Sequence, residues 1–267
     1  MNWKKLAVTA LLGLGVIGVL AGCGGSGDAG PKELPKKVVV GLDDNFPPMG
    51  FRDENGTLTG FDIELAKEIG KRAGIEMEFK PIDWSTKEAE LAAKRVDLLW
   101  NGLTITPQRA EKILFSETYM YNDQIIVTLA DRNDIGSIND LSGMTVATQE
   151  GGTGIDALAK LPDLQKSFKE LRLYGVYTDA LMDLEIGRVD AVLVDGVVGR
   201  YYMTKKPGVF KELPEILATE EYGVGMRKDN AKLKQAIDKA IAEIRTDGTG
   251  AALGDKWFGR DVMNHKQ

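Results

Sequence analysis

Residues 96–109 read VDLLWNGLTITPQR. The run from Val96 to Trp100 has the length and apolarity of a buried strand. Thr106-Pro107 then opens a helix, because threonine supplies a capping oxygen and proline at the first helical position has no N–H to leave unpaired. Strand, polar turn and helix thus follow one another closely, and the same grammar extends in both directions. Upstream, the β-branched run at 38–41 predicts a strand, and 77–82 predicts a second. Between them Phe61, Leu65, Ala66 and Ile69 share one helical face that begins after Gly60 and ends at Gly70 or Gly74. Residues 87–95 repeat the helical pattern, and 124–129 read as strand. After the turn-rich stretch 131–142 the alternation restarts. Strands are predicted at 144–148, 171–174 and 189–194, with helices at 153–161, 179–187 and 197–205. Leu233, Ile237, Ala240, Ile241 and Ile244 then line one side of a long amphipathic helix over 231–245.

Alternation of this kind predicts an α/β protein with mainly parallel sheets flanked by helices. Two rounds, near 38–129 and 144–205, predict two lobes. In such sheets ligands bind beyond the carboxyl ends of strands. The positions to inspect are therefore Asp43, Trp84, Asn101 to Thr104, Glu150 to Thr153, and Asp195.

Composition narrows the chemistry. The chain has 267 residues, 34 Lys+Arg and 40 Asp+Glu, for a formal charge of −6. That balance argues against a nucleic-acid partner, which wants basic residues in excess on one face. One cysteine and one histidine supply neither a structural zinc set nor an intrachain disulfide. The histidine, His265, lies near the C-terminal end, which disfavours a catalytic triad. No metal and no cofactor are expected.

The first 22 residues have the layout of a signal peptide: Lys4 and Lys5, then an uncharged run from Leu6 to Leu20 that is too short to span a bilayer. A formal GxGxxG at Gly13 to Gly18 lacks the strand and βαβ context of a dinucleotide site. Leu20-Ala21-Gly22-Cys23 resembles the lipobox of bacterial lipoproteins, so Cys23 is the expected lipidation site, with palmitate among its acyl groups. Two or three chains anchor a protein durably. Residues 23–37, rich in Gly, Ser and Pro at their start, predict a flexible tether.

The strand ends combine opposite charges. Arg109 falls in a helix's first turn, where the dipole disfavours a cation. It is either a surface arginine paired with a glutamate or a fork that holds a carboxylate with help from the Thr104 N–H. Glu150-Gly151-Gly152-Thr153-Gly154 is either a tight connection or a cradle of N–H groups for one small carboxylate; it lacks the GK[ST] of a P-loop. Asp195 is either a helix cap or the partner of an ammonium. Phe46 and Trp84 are either core aromatics or apolar walls around a ligand, and Trp100 reads as core.

Taken together, Gly60-Phe61-Asp62-Ile63-Glu64-Leu65, Val96-Asp97, Thr104-Ile105-Thr106-Pro107-Gln108-Arg109, Phe115-Ser116, Gly187-Arg188-Val189-Asp190-Ala191 and Asp247-Gly248-Thr249 resemble the family 3 extracellular solute-binding proteins, the polar amino-acid receptors of bacterial ABC importers. The resemblance implies a two-lobed, type II periplasmic-binding-protein-like fold, with lobe 1 over 38–122 plus 222–267 and lobe 2 over 123–221. Two hinge strands are implied near 121–124 and 219–222. It implies that Arg109 clamps the ligand α-carboxylate with Thr104 and Thr153, and that Asp195 and the Gly102 carbonyl receive the α-ammonium. Asp43, Phe46, Trp84 and Gln149 would line the side-chain pocket, flanked by Gly154. Asn101-Gly102 stands where many members have two serines, and Gly154 where some have glutamine, so these positions bear on side-chain specificity.

The implied function is a monomeric, extracytoplasmic receptor, lipid-anchored to the outer face of the cell membrane, that delivers a polar L-amino acid to a permease and ATPase. Asp43, Asp44 and Glu150 tilt the expected ligand toward an amide or cationic end. Cyclohexadienyl dehydratases resemble the same family. The alternative is such an enzyme, acting on arogenate or prephenate with Glu150 or Asp43 as general acid.

Overall fold

In a computed structural model, which describes residues 33–264, the strand Lys37–Leu42 pairs in parallel with Glu76–Pro81 on one side and Leu98–Leu99 on the other. Val38, Val40 and Leu42 are buried, as suits a strand covered on both faces. Gly225–Arg227 and Ile113–Phe115 complete this five-stranded sheet in antiparallel fashion. In the second sheet Thr145–Gln149 lies parallel to both Glu170–Tyr174 and Ala191–Asp195. The long strand Met120–Leu129 runs antiparallel to Ala191–Asp195, and also pairs with Phe210–Glu212 and Ala218–Tyr222. The signal segment, Cys23 and His265 lie outside the described residues.

Two α/β lobes therefore form as expected, but each sheet is mixed rather than mainly parallel. The parallel pairs come from strands separated by helices. The antiparallel ones come from strands that cross between the sheets, which need no helical return. Met120–Leu129 enters the second sheet and Ala218–Tyr222 leaves it, paired with Met120 opposite Tyr222 and Asn122 opposite Glu220.

Helix Phe61–Ala73 buries the predicted Phe61, Leu65, Ala66 and Ile69, and Gly74 closes it in the left-handed region at φ 68°. Helix Ala231–Thr246 buries the five predicted apolar residues and packs on Phe61–Ala73. One apolar cluster, including Val40, Leu65, Trp100, Val194 and Ile241, runs through both lobes. The predicted strand 96–100 contracts to Leu98–Leu99. Beside it, Asp97 N still donates to Val39 O at 2.7 Å, while its carboxylate takes the Val39 N–H at 2.9 Å and pairs with Arg227 at 3.1 Å. Short elements escape sequence patterning: Ile113–Phe115, helix Pro162–Ser167, Phe210–Glu212, helix Thr249–Phe258, and a small sheet of Asn45–Phe46, Gly50–Arg52 and Leu58–Thr59.

Candidate functional site

The carboxyl ends of the strands face one another across the cleft between the lobes. Arg109 reaches it because Thr106 caps the helix Pro107–Lys112, its hydroxyl accepting from Arg109 N at 3.1 Å. Thr106→Ala is expected to cost about 1 kcal/mol of stability, read by chemical denaturation. The guanidinium is 8% exposed. Nη1 donates to Thr104 O at 2.9 Å and Nη2 to Gly151 O, on the opposite lobe, at 3.1 Å. Burial holds its pKa below the usual arginine value. It is no surface arginine: among the described residues it meets carbonyls and no carboxylate.

Lys87, also buried, converges on the same carbonyl. Its Nζ donates to Gly151 O at 2.8 Å and Trp84 O at 3.1 Å, and lies 5.1 Å from the Trp84 ring centroid. Burial, then the nearby Arg109 charge, pull its pKa down to about 7.

The acids gather on the other side. Asp195 precedes helix Gly196–Lys205 but its carboxylate makes no capping bond. Asn122 Oδ1 instead accepts from Val197 N at 3.2 Å. Asp195 Oδ1 is freed to accept from Asn122 Nδ2 at 2.7 Å, Gln124 Nε2 at 2.5 Å and Tyr222 OH at 3.1 Å. Burial, and next the Glu220 charge, push its pKa well above the carboxylate range. Glu220 Oε2 accepts from Thr104 Oγ1 at 3.0 Å. Asp43 accepts from Gln149 Nε2 at 2.8 Å, across the lobes, and from Asn45 N at 2.9 Å; burial raises its pKa to about 6.

The remaining predicted residues join this cluster. Thr104 and Thr153 bring their hydroxyls to 3.3 Å across the cleft. Phe46 and Trp84 are buried, with Phe46 at 6.0 Å from the Tyr177 ring. Gly102 has φ +59°, and a Cβ there would stand 2.9 Å from Phe46 and 3.2 Å from Tyr222, so only glycine fits. Its N–H donates to Asp62 Oδ2 at 2.8 Å.

Other expectations need correction. Glu150 is exposed, because the turn carries it outward, and Asp44 faces Arg52 Nε at 2.6 Å. Only Asp43 of the three acids invoked for specificity belongs to the buried site. Gly154 offers no room for a side chain, since a Cβ would sit 2.6 Å from Thr148 Oγ1. Sequence reading missed Lys87, Asn122, Gln124, Glu220 and Tyr222. The one legible signal was the polar run Asn122-Asp123-Gln124 near the head of an otherwise apolar strand. Among the described residues no group of His, Cys, Asp or Glu is arranged to hold a metal.

A cleft between two α/β lobes, with buried cations at one end and carboxylates at the other, defines a receptor for a small ligand bearing both charges. The chain belongs to the bacterial extracellular solute-binding proteins, family 3, whose sequence profile matches residues 38–260. It is 32% identical to the L-cystine-binding protein TcyJ of Escherichia coli (strain K12), over 98% of this chain and 99% of that one. Among solved structures it resembles an ABC uptake transporter substrate-binding protein from Streptococcus pneumoniae with bound histidine: TM-score 0.82, 36% identity, 86% of this chain and 95% of that one. An ancestral arginine-binding protein bound to arginine superposes with TM-score 0.80 and 36% identity, over 85% of this chain and 100% of that one. Among the described residues no helix is long and apolar enough to cross a membrane.

Proposed function

We propose that this receptor captures a polar L-amino acid between its lobes and delivers it to the permease and ATPase of an ABC importer. One observation carries the reading: buried charges of opposite sign face the cleft without pairing to each other. Arg109 rests on two carbonyls, while Asp43 and Asp195 accept from amides, a hydroxyl and backbone N–H. Buried ions without counter-ions are costly, and a zwitterion supplies both at once. The α-carboxylate would take the Arg109 fork with Thr104 and Thr153, and the α-ammonium would take Asp195. The side chain would lie between Phe46 and Trp84, toward Asp43.

The charge count also favours one ligand type. Arg109 and Lys87 face Asp43, Asp195 and Glu220, so buried acids outnumber buried cations in the site by one. A cationic side-chain end near Asp43 balances that excess. Relatives that bind arginine, histidine and cystine support the amino-acid class. The dehydratase alternative loses Glu150, which is exposed, and keeps only Asp43 as a buried acid.

The lobe boundaries follow the same proposal: 38–122 plus 222–267, and 123–221, with the paired segments 120–124 and 218–222 as hinge. Contacts such as Gln149 with Asp43 and Thr104 with Thr153 belong to the closed arrangement, which a bridging ligand favours. The body is monomeric and held outside the cell membrane by acylated Cys23. Cys23→Ser is expected to move the protein from the membrane fraction to the medium or periplasm; retention in the membrane fraction overturns the anchor.

Calorimetry on lipid-free protein with the twenty amino acids and cystine tests the function. A cationic amino acid is expected among the tightest ligands, and binding of none overturns the reading. Asp43→Asn should weaken arginine about tenfold while leaving glutamine within a few-fold.

A further inference from the structure

We propose that Glu220, on the strand that returns from the second lobe, is a second carboxylate of the ammonium seat, contacting the ligand jointly with Asp195. The inference rests on the amino-acid reading above.

Glu220 is 7% exposed, yet its carboxylate receives no lysine or arginine donor among the described residues. Its Oε2 accepts from Thr104 Oγ1 at 3.0 Å, Gln124 Nε2 at 3.2 Å and Asn122 Nδ2 at 3.4 Å. Those two amide nitrogens also serve Asp195, at 2.5 and 2.7 Å, and Gln124 Nε2 lies 3.4 Å from Thr153 Oγ1 as well. An amide nitrogen has two hydrogens. Gln124 therefore faces three acceptors with two donors, while its own Oε1 is buried without a partner. The pocket is short of donors, and two carboxylates compete for the same ones.

An ammonium group remedies both defects. It brings three N–H donors and a positive charge to the point where the two acids converge. Thr104 marks that point, since its hydroxyl touches both Glu220 and the Thr153 hydroxyl of the opposite lobe. The location has a mechanical consequence. Asp195 ends a strand inside the second lobe, whereas Glu220 sits opposite Asn122 in the paired strands that join the lobes. A ligand held by both is tied to the hinge itself as well as to the lobe beyond it.

A purely structural role, with Glu220 only fixing Thr104 or the strand pair, predicts different results. The probe is whichever of the twenty amino acids and cystine binds wild-type protein tightest, together with its α-desamino analogue, measured by calorimetry and competition. Glu220→Gln is expected to weaken the amino acid 10- to 100-fold and the desamino analogue less than threefold. Equal losses for both, or no loss for the amino acid, overturn the proposal. In a Thr104→Val background the Glu220→Gln loss should persist, and its disappearance would show that Glu220 acts only through Thr104. Glu220→Asp, which keeps the charge but draws it back, should give an intermediate loss and serves as the folded control. Wild-type protein that binds neither any of the twenty amino acids nor cystine sinks the amino-acid reading and this inference with it. Normal wild-type binding with an unaffected variant sinks this inference alone.

Discussion

Arg109→Ala is expected to abolish capture of every amino acid, raising Kd by roughly a thousandfold, which corresponds to about 4 kcal/mol. The size follows from burial on both sides of the contact. The guanidinium is nearly inaccessible, and its Nη2 already reaches across to the Gly151 carbonyl of the opposite lobe. A ligand carboxylate placed there would exchange a neutral acceptor for an ionic one, in a site too dry to screen it. Removing the fork strands that carboxylate and opens one cross-lobe contact at the same stroke. The fold itself should survive, because Thr106 and Pro107, which start the helix, are untouched. Arg109→Lys keeps the charge but cannot make two parallel bonds, so an intermediate loss of tens-fold is expected. Calorimetry distinguishes the cases, and undiminished binding by Arg109→Ala would remove the α-carboxylate clamp from the mechanism.

Arg109 is legible in the sequence because its surroundings are local. The cap, the proline and the strand before them lie within a few residues, so spacing alone places the side chain at a strand end. Asp43, Thr153 and Asp195 were readable for the same reason. Asp195 also shows the limit of that reading. A strand-ending aspartate before a helix is most simply a cap, and what frees it is Asn122, more than seventy residues upstream by chain order. Glu220 and Tyr222 join the site only through the antiparallel register with Met120 and Asn122, and long-range register leaves little trace in one sequence. Glu150 failed in the opposite sense. It sits at the right place in the chain, but one step along a turn carries a side chain from cleft to solvent. The parallel halves of the sheets were visible as strand–helix repeats, whereas the three-residue antiparallel strands Ile113–Phe115, Phe210–Glu212 and Gly225–Arg227 have too few positions to display a period.

The buried charges that suit this cleft to a zwitterion should make the unliganded protein least stable near neutral pH. Asp62, the acid of the Gly60-Phe61-Asp62 run, is 2% exposed and accepts from Gly102 N and Tyr119 OH, both at 2.8 Å. Those bonds favour the carboxylate, but burial outweighs them and raises its pKa to about 7. Asp43 stands at about 6, again through burial. For both acids the folded value exceeds the unfolded one of 3.8. Between those limits the folded state keeps a proton that the unfolded state has lost, so stability falls as pH rises, by up to about 1.4 kcal/mol per unit per group. Lys87 has the opposite sign. Its folded pKa of about 7 lies below the unfolded 10.5, so from pH 7 to 10.5 the unfolded chain holds the extra proton and stability rises with pH. Asp134 and Asp247, lowered to about 2 by their arginine partners, are at the surface and act only below pH 4. Asp62 and Asp43 together therefore lower stability by on the order of 4 kcal/mol between pH 4.5 and 7. Asp195, which burial also raises, pulls in the same direction. Lys87 opposes them above pH 7, which leaves a trough at or above neutral pH. Urea denaturation of ligand-free protein at pH 4.5, 7 and 9 should trace it, and stability that rises steadily from pH 4.5 to 7 would overturn it. Asp62→Asn, which still offers an acceptor to Gly102 and Tyr119, should flatten the acidic limb and leave the alkaline one. Saturating ligand should fill the part of the trough that belongs to Asp43, because a cation beside that carboxylate lowers its pKa again, and should leave the part that belongs to Asp62.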